Sequence, residues 1–144
     1  MKISSVLAGK GTKVVTVEPD RSVKDLLGLL SLHKVGALVV STDGKSITGI
    51  VSERDVVRAL ADSESILNEP VSKIMTTEVF VAPLDTKIDD LMNVMTSQRI
   101  RHIPITSDSG ELIGIVSIGD LVKARLNELE SERAALMGYI THGG

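Results

Sequence analysis

The chain contains no cysteine and no tryptophan among its 144 residues, and Phe80 and Tyr139 are its only aromatic rings apart from histidine. Without thiols there are no disulfides, no thiolate metal sites and no cysteine nucleophile, and a reducing compartment is compatible with the sequence. The shortage of aromatics removes the platform on which single-stranded bases stack. It also makes the core one of Val, Ile, Leu, Met and Ala, so any planar ligand would sit between aliphatic side chains. Excess positive charge is missing too. With 16 basic and 19 acidic side chains the net charge is −3, which supplies no field to gather a phosphate backbone, and nucleic acid is not an expected partner. No run of 18 apolar residues occurs, and the apolar stretch after Met1 is too short for a signal peptide. The expectation is a soluble cytoplasmic protein with no membrane partner. At 42% hydrophobic and one-domain length, the chain can bury a sizeable core without covalent staples.

What the sequence does have is a duplication. Gly49-Ile50-Val51-Ser52-Glu53-Arg54-Asp55 returns 65 positions later as Gly114-Ile115-Val116-Ser117-Ile118-Gly119-Asp120. Self-similarity at so long a period reports two copies of one supersecondary unit. In the first copy Val14–Val17 reads as a short strand ended by Pro19. A helix opens at Ser22 with Val23, Leu26, Leu27 and Leu30 on one face, strands at Ala37–Val40 and Ile47–Val51 flank an Asp43-Gly44 turn, and a second helix runs from Asp55. The second copy repeats the order: strand Val79–Val81, helix from Thr86, strand Ile103–Ile105, turn 107–110, strand Leu112–Val116 and helix from Asp120. The offset changes from 64 to 65 between Pro83 and Ile88, which reads as a one-residue turn insertion.

The fold class is therefore mixed α/β (α+β), built of two β-α-β-β-α repeats. Residues 1–63 hold the first and 64–125 the second, each with a short helical lead-in (3–7 and 71–75), and 126–144 form a C-terminal helix and tail. That tail helix carries Val122, Leu126, Leu129, Leu136 and Ile140 at three- and four-residue steps, interrupted by Arg133. Such a stripe either packs back on its own domain or meets a partner chain.

Ser52-x-x-Asp55 and Ser117-x-x-Asp120 have the spacing of a capping box, as do Ser22-x-x-Asp25 and Thr86-x-x-Asp89. Capping alone accounts for all four. The Ser52 and Ser117 boxes differ in coming directly off an apolar strand, at the edge where α/β layers form a ligand crevice. There a helix start offers free N–H groups to an anion, and the aspartate can accept from a ribose diol. Gly49 and Gly114 would permit close backbone approach or mark a bulge. Arg99, Arg101 and His102 stand just ahead of a strand, where their charges can hold a phosphate. The first copy has Gly36-Ala37 in place of Arg101-His102. Gly44-Lys45-Ser46 lacks the preceding glycine of a P-loop and reads as a turn. The three histidines show no metal spacing, and nothing resembles a nucleophile or general-base constellation, so no catalytic or metal site is expected.

These motifs, with Val17-Glu18-Pro19 and Val81-Ala82-Pro83 and the string Arg101-His102-Ile103-Pro104-Ile105, resemble a tandem pair of CBS (cystathionine β-synthase) domains of the small stand-alone bacterial type. The resemblance covers about residues 1–125. It implies that the repeats pack by pseudo-two-fold symmetry into one module with two clefts, and that the ligand is an adenosine compound: AMP, ADP, ATP, NAD or S-adenosylmethionine. By the same resemblance Asp55 and Asp120 would take ribose hydroxyls, and Ser52 and Ser117 ribose or phosphate. Arg101 and His102 would take phosphate, and Val15, Val79, Ala37 and Ile103 would line adenine. With Gly36-Ala37 in the first copy, the second site is expected to hold phosphate better. The implied protein is a regulatory nucleotide-binding homodimer that needs no cofactor and signals to an effector protein by conformational or dimer change. The alternative is a purely structural dimerisation or interaction module.

Overall fold

The β-branched run before Glu18-Pro19 pairs only over Thr16–Val17 (β1), which lies parallel to β2 (Ala37–Val40) at the sheet edge. Ser22 accepts a hydrogen bond from the Asp25 amide and starts α2 (Val23–His33), which ends at Lys34 in the left-handed region, φ 55°. β2 and β3 (Gly49–Ser52) form the antiparallel hairpin. Its turn is organised by Asp43, whose Oδ1 accepts from the Lys45 and Ser46 amides and the Ser46 hydroxyl. α3 (Glu53–Asp62) follows β3 without a break. The second repeat comprises β4 (Ala82–Pro83), α4 (Ile88–Gln98), β5 (His102–Thr106), β6 (Leu112–Ser117) and α5 (Ile118–His142). Each repeat holds one three-stranded sheet, ordered β1-β2-β3 and β4-β5-β6. This computed structural model describes residues 1–142; residues 143–144 of the expected C-terminal tail lie outside the described residues.

Three sequence expectations shift. The strand expected at Val79–Val81 forms at Ala82–Pro83, because Ala82 pairs with Ile105 as Val17 pairs with Val40. The offset is thus already 65 at this strand, and the extra residue precedes it rather than lying in the turn after it. As a consequence the position equivalent to Ser22 is Lys87, not Thr86. Lys87 has no acceptor to cap α4, and the Thr86 hydroxyl donates to the Pro83 carbonyl at 2.8 Å, so the expected Thr86 box does not form.

Two cores form, and the lead-ins are exchanged between them. One core gathers Val17, Val23, Leu26, Leu38, Val51 and Val56 of the first repeat, yet it also takes Val71 from the 3-10 turn Val71–Lys73. The other gathers Ile88, Leu91, Ile103, Ile105, Val116 and Leu121, and takes Ile3, Val6 and Leu7 from α1 (Ile3–Lys10). The backbone follows: Ile3 N donates to Thr86 O at 2.9 Å, and Val71 N to Arg21 O at 2.8 Å. Fully burying Ile3 and Leu7 contributes about 1.5–3 kcal/mol each, so α1 fastens the front of the chain to the second repeat.

Gly49 and Gly114 mark where these lead-ins cross the sheets. A Cβ on Gly49 would lie 2.8 Å from the Thr76 carbonyl oxygen, and one on Gly114 would lie 2.6 Å from Leu7 Cδ1. The close approach is made by the chain itself. A bulge sits beside Gly114 as well, since Ile105 pairs with Gly114 and Thr106 with Leu112, leaving Ile113 unpaired. α5 packs through Leu121 and Ala124, whereas Val122, Leu126, Leu129, Leu136 and Ile140 are 41–65% exposed. The apolar stripe does not fold back on its own domain.

Candidate functional site

The site begins where β3 becomes α3. The Ser52 amide and hydroxyl both donate to Asp55 Oδ2, at 2.8 and 3.1 Å, and the Asp55 amide returns a bond to the Ser52 hydroxyl at 3.3 Å. The capping box is complete, and Asp55 Oδ1 has no hydrogen-bond donor among the described residues. Ala37 lies opposite Ser52 in the ladder, and the Gly36 carbonyl accepts from the first amide of α3, Glu53 N, at 2.9 Å. In the second repeat the Arg101 carbonyl does the same for Ile118 N at 2.8 Å. These bonds hold each segment ahead of a strand against a helix start, because the first amides of a helix have no internal partner.

α4 ends at Arg99 in the left-handed region, φ 56°, a conformation that costs a non-glycine residue roughly 1 kcal/mol. The reversal lays Arg99–His102 against the first repeat. A Cβ on Gly36 would lie 3.4 Å from His102 Cε1, so the imidazole packs directly against this glycine. Between the repeats is a cavity of about 290 Å³, at the lower end for small-molecule sites. Its walls are Ala37, Ser52 and Asp55 from the first repeat, Thr76, Val79 and Phe80 from the connector between α3 and β4 (63–81), and Arg99, Arg101 and His102 from the rest of the second repeat. Arg54 and Arg58, one helical turn apart on α3, complete it.

Four arginines and three acidic residues, Glu53, Asp55 and Glu78, therefore line one cavity. None of the four is within ion-pair distance of a carboxylate among the described residues. A neighbouring groove of about 400 Å³ continues past Arg54, Arg99 and Arg101 towards Thr96 and Ile118. Burial lowers the His102 pKa below its ordinary value, helped by Lys10 and Arg101 and opposed by Asp120 and Glu53. The fold thus favours the neutral imidazole over the imidazolium. No group of three or more His, Asp or Glu side chains that could hold a metal ion occurs among the described residues.

The structure brings Ala37, Ser52, Asp55, Val79, Arg101 and His102 to one cavity. It places the other expected residues elsewhere. Ser117 and Asp120 form their own capping box at the start of α5, with bonds of 2.8 and 3.1 Å. Val15 packs on the first core, and Ile103 is wholly buried in the second. Arg101 and His102, adjacent in sequence to the strand that leads to Asp120, thus share their cavity with Asp55. Arg54 and Arg58 escaped the sequence reading, although their four-residue spacing on the helix capped by Ser52 puts them on one face.

Doubled three-stranded sheets, exchanged lead-ins and a cleft at the strand-to-helix junction define a tandem-repeat α/β module. A family model described as CBS domain matches residues 10–62 and again 71–127. The chain belongs to the CBS domain family. It is similar to a CBS-domain containing protein of Agrobacterium tumefaciens, whose crystal structure is 42% identical with a TM-score of 0.84 over 87% of this chain and 99% of that one. The mitochondrial CBS domain-containing protein CBSX3 of Arabidopsis thaliana is 38% identical over 98% of this chain and 72% of that protein. CBSX2, crystallised in complex with AMP, is 30% identical with a TM-score of 0.68, over 80% of this chain and 89% of CBSX2. No helix among the described residues is long and apolar enough to cross a membrane.

Proposed function

We propose that this protein is a regulatory module that binds a phosphate-bearing adenosine ligand, AMP, ADP, ATP or NAD, in the cavity between its repeats. The observation that carries this reading is the set of four arginines, without ion-pair partners among the described residues, that line one cavity with an aspartate at a helix start whose Oδ1 has no donor among those residues. Asp55 Oδ1 suits a ribose diol, while the guanidinium groups suit phosphate oxygens. The same cluster disfavours a cationic sulfonium such as S-adenosylmethionine. AMP bound to the similar CBSX2 supports the reading. A ligand so placed touches both repeats and the connector, so it favours one packing of the repeats over others, which an effector protein can read. The module is cytoplasmic, has no catalytic role and needs no cofactor.

A second copy of the chain is the proposed partner of α5. Positions 122, 126, 129, 133, 136 and 140 step by four and three, the period of a coiled-coil seam, and all are exposed. Only a helix of matching period covers such a stripe, and a homodimer supplies one.

Titration calorimetry with AMP, ATP, NAD and S-adenosylmethionine tests the ligand. Arg101→Gln, which leaves the capping box alone, and Asp55→Asn should each weaken nucleotide binding by about tenfold or more, equivalent to about 1.4 kcal/mol. Asp120→Asn should have the smaller effect. The complete Ser52–Asp55 box favours a second, purely structural reading. That reading predicts no binding by the parent protein, and a lower melting temperature as the sole effect of Asp55→Asn.

A further inference from the structure

The two Ser-x-x-Asp boxes are alike within themselves and unlike in what surrounds them. In the first repeat Ile50 exchanges backbone bonds with Thr76, N to O at 2.9 Å and O to N at 2.8 Å. The equivalent of Ile50 is Ile115, as their ladder partners Val39 and Pro104 show. No backbone bridge forms at Ile115 among the described residues. Its carbonyl instead accepts from Lys10 Nζ at 2.9 Å, and the same ammonium donates to Asp120 Oδ2 at 2.6 Å.

The cause lies in the two lead-ins. After a 3-10 helix at Glu64–Asn68 the connector winds one further 3-10 turn, Val71–Lys73, and then extends so that Thr76 can pair with β3. The first lead-in winds a full α-helix to Lys10, its last residue, and has no extended backbone to offer β6. Lys10 spans the gap with its side chain. Its ammonium takes on the Ile115 carbonyl the place that the Thr76 amide takes on the Ile50 carbonyl, and pairs with Asp120 as well, whereas no cation pairs with Asp55 among the described residues.

We propose that Lys10 is the residue that makes the two clefts unequal: it fills the polar seat at Asp120, so that each chain takes one nucleotide, at Asp55, and admits a second only when Lys10 leaves. This rests on the adenosine reading of the Asp55 cavity. The geometry is an intramolecular cation paired with the aspartate that would face the ribose, bound to Asp120 Oδ2 and the Ile115 carbonyl oxygen at once. A ligand entering there must displace a charge-assisted hydrogen bond before it forms its own.

The test counts sites by calorimetry with AMP in excess. The parent protein should bind one AMP per chain, and Lys10→Ala should bind two. Lys10→Ala combined with Asp55→Asn should show one site that the Asp55 change leaves unaltered, the one at Asp120, beside one weakened by about tenfold or more. Lys10 is an exposed residue at a helix end, and Lys10→Met retains its aliphatic stem, so both variants should stay folded by circular dichroism. A count of one in both Lys10 variants, with binding still weakened by Asp55→Asn, would overturn this inference and leave the Asp55 reading standing. A count of two in the parent would overturn it as well. No heat with any adenosine ligand in parent and variants would overturn both.

Discussion

His102 shows how one residue joins two halves of the site. Its ring packs on Gly36 of the other repeat, within the field of Glu53, Asp120, Lys10 and Arg101. Burial and the two cations depress its pKa, so the folded state binds a proton less readily than the unfolded chain. Stability must then fall as pH drops below about 6.5, the unfolded value, because the unfolded state takes up the proton first. Asp120 behaves differently. Burial raises its pKa, but the Lys10 ammonium and the Ser117 amide outweigh that and hold it below the usual carboxylate range. Its contribution to stability persists above the unfolded carboxylate value and is lost only as pH falls below about 4. Melting temperature should therefore decline between pH 7 and 5.5, and His102→Gln should flatten that decline; an unchanged slope would show that His102 does not carry it. A phosphate ligand in the cavity favours the imidazolium, so nucleotide binding should tighten over the same range.

At the scale of elements, the decisive contacts are the crossings of lead-in over strand. Gly49 meets a backbone oxygen and Gly114 meets the tip of a leucine, although the two glycines are equivalent in sequence. A leucine methyl can rotate aside, whereas the Thr76 carbonyl is fixed by its own bonds to Ile50. Gly49→Ala should cost about 1–3 kcal/mol in chemical denaturation, the usual cost of overpacking, and Gly114→Ala distinctly less. Equal losses would mean that the crossings are equally rigid. The hairpins, the helices with Leu or Met on one face and the Asp43-Gly44 turn were all legible in the sequence, since each follows from local periodicity and turn chemistry. The exchange of lead-ins was not. Residues 3–7 and 71–75 look alike, and nothing local says that each packs on the other repeat.

For the whole molecule, α5 is the element whose burial is incomplete. An apolar seam of 41–65% exposed side chains gains free energy only by meeting another surface. Leu129→Glu with Leu136→Glu should convert the protein from dimer to monomer in sedimentation equilibrium while leaving its circular dichroism unchanged, as neither residue belongs to a core. A parent protein that is monomeric at micromolar concentration would remove the homodimer from the proposal.

The sequence by itself determined the duplication, the strand and helix order of each repeat, the family, and the residue types that meet at a strand-to-helix junction. These are local or periodic properties, written in neighbouring residues. Which residues share a cavity was decided only in three dimensions. Arg101 and His102 precede the strand that leads to Asp120, yet the left-handed turn at Arg99 and the packing of the repeats carry them to Asp55. Lys10 stands 110 positions from Asp120 and is bonded to it, because one lead-in ends as a helix where the other extends as backbone. Contacts between distant segments depend on how two surfaces fit, and spacing along a chain does not encode that fit.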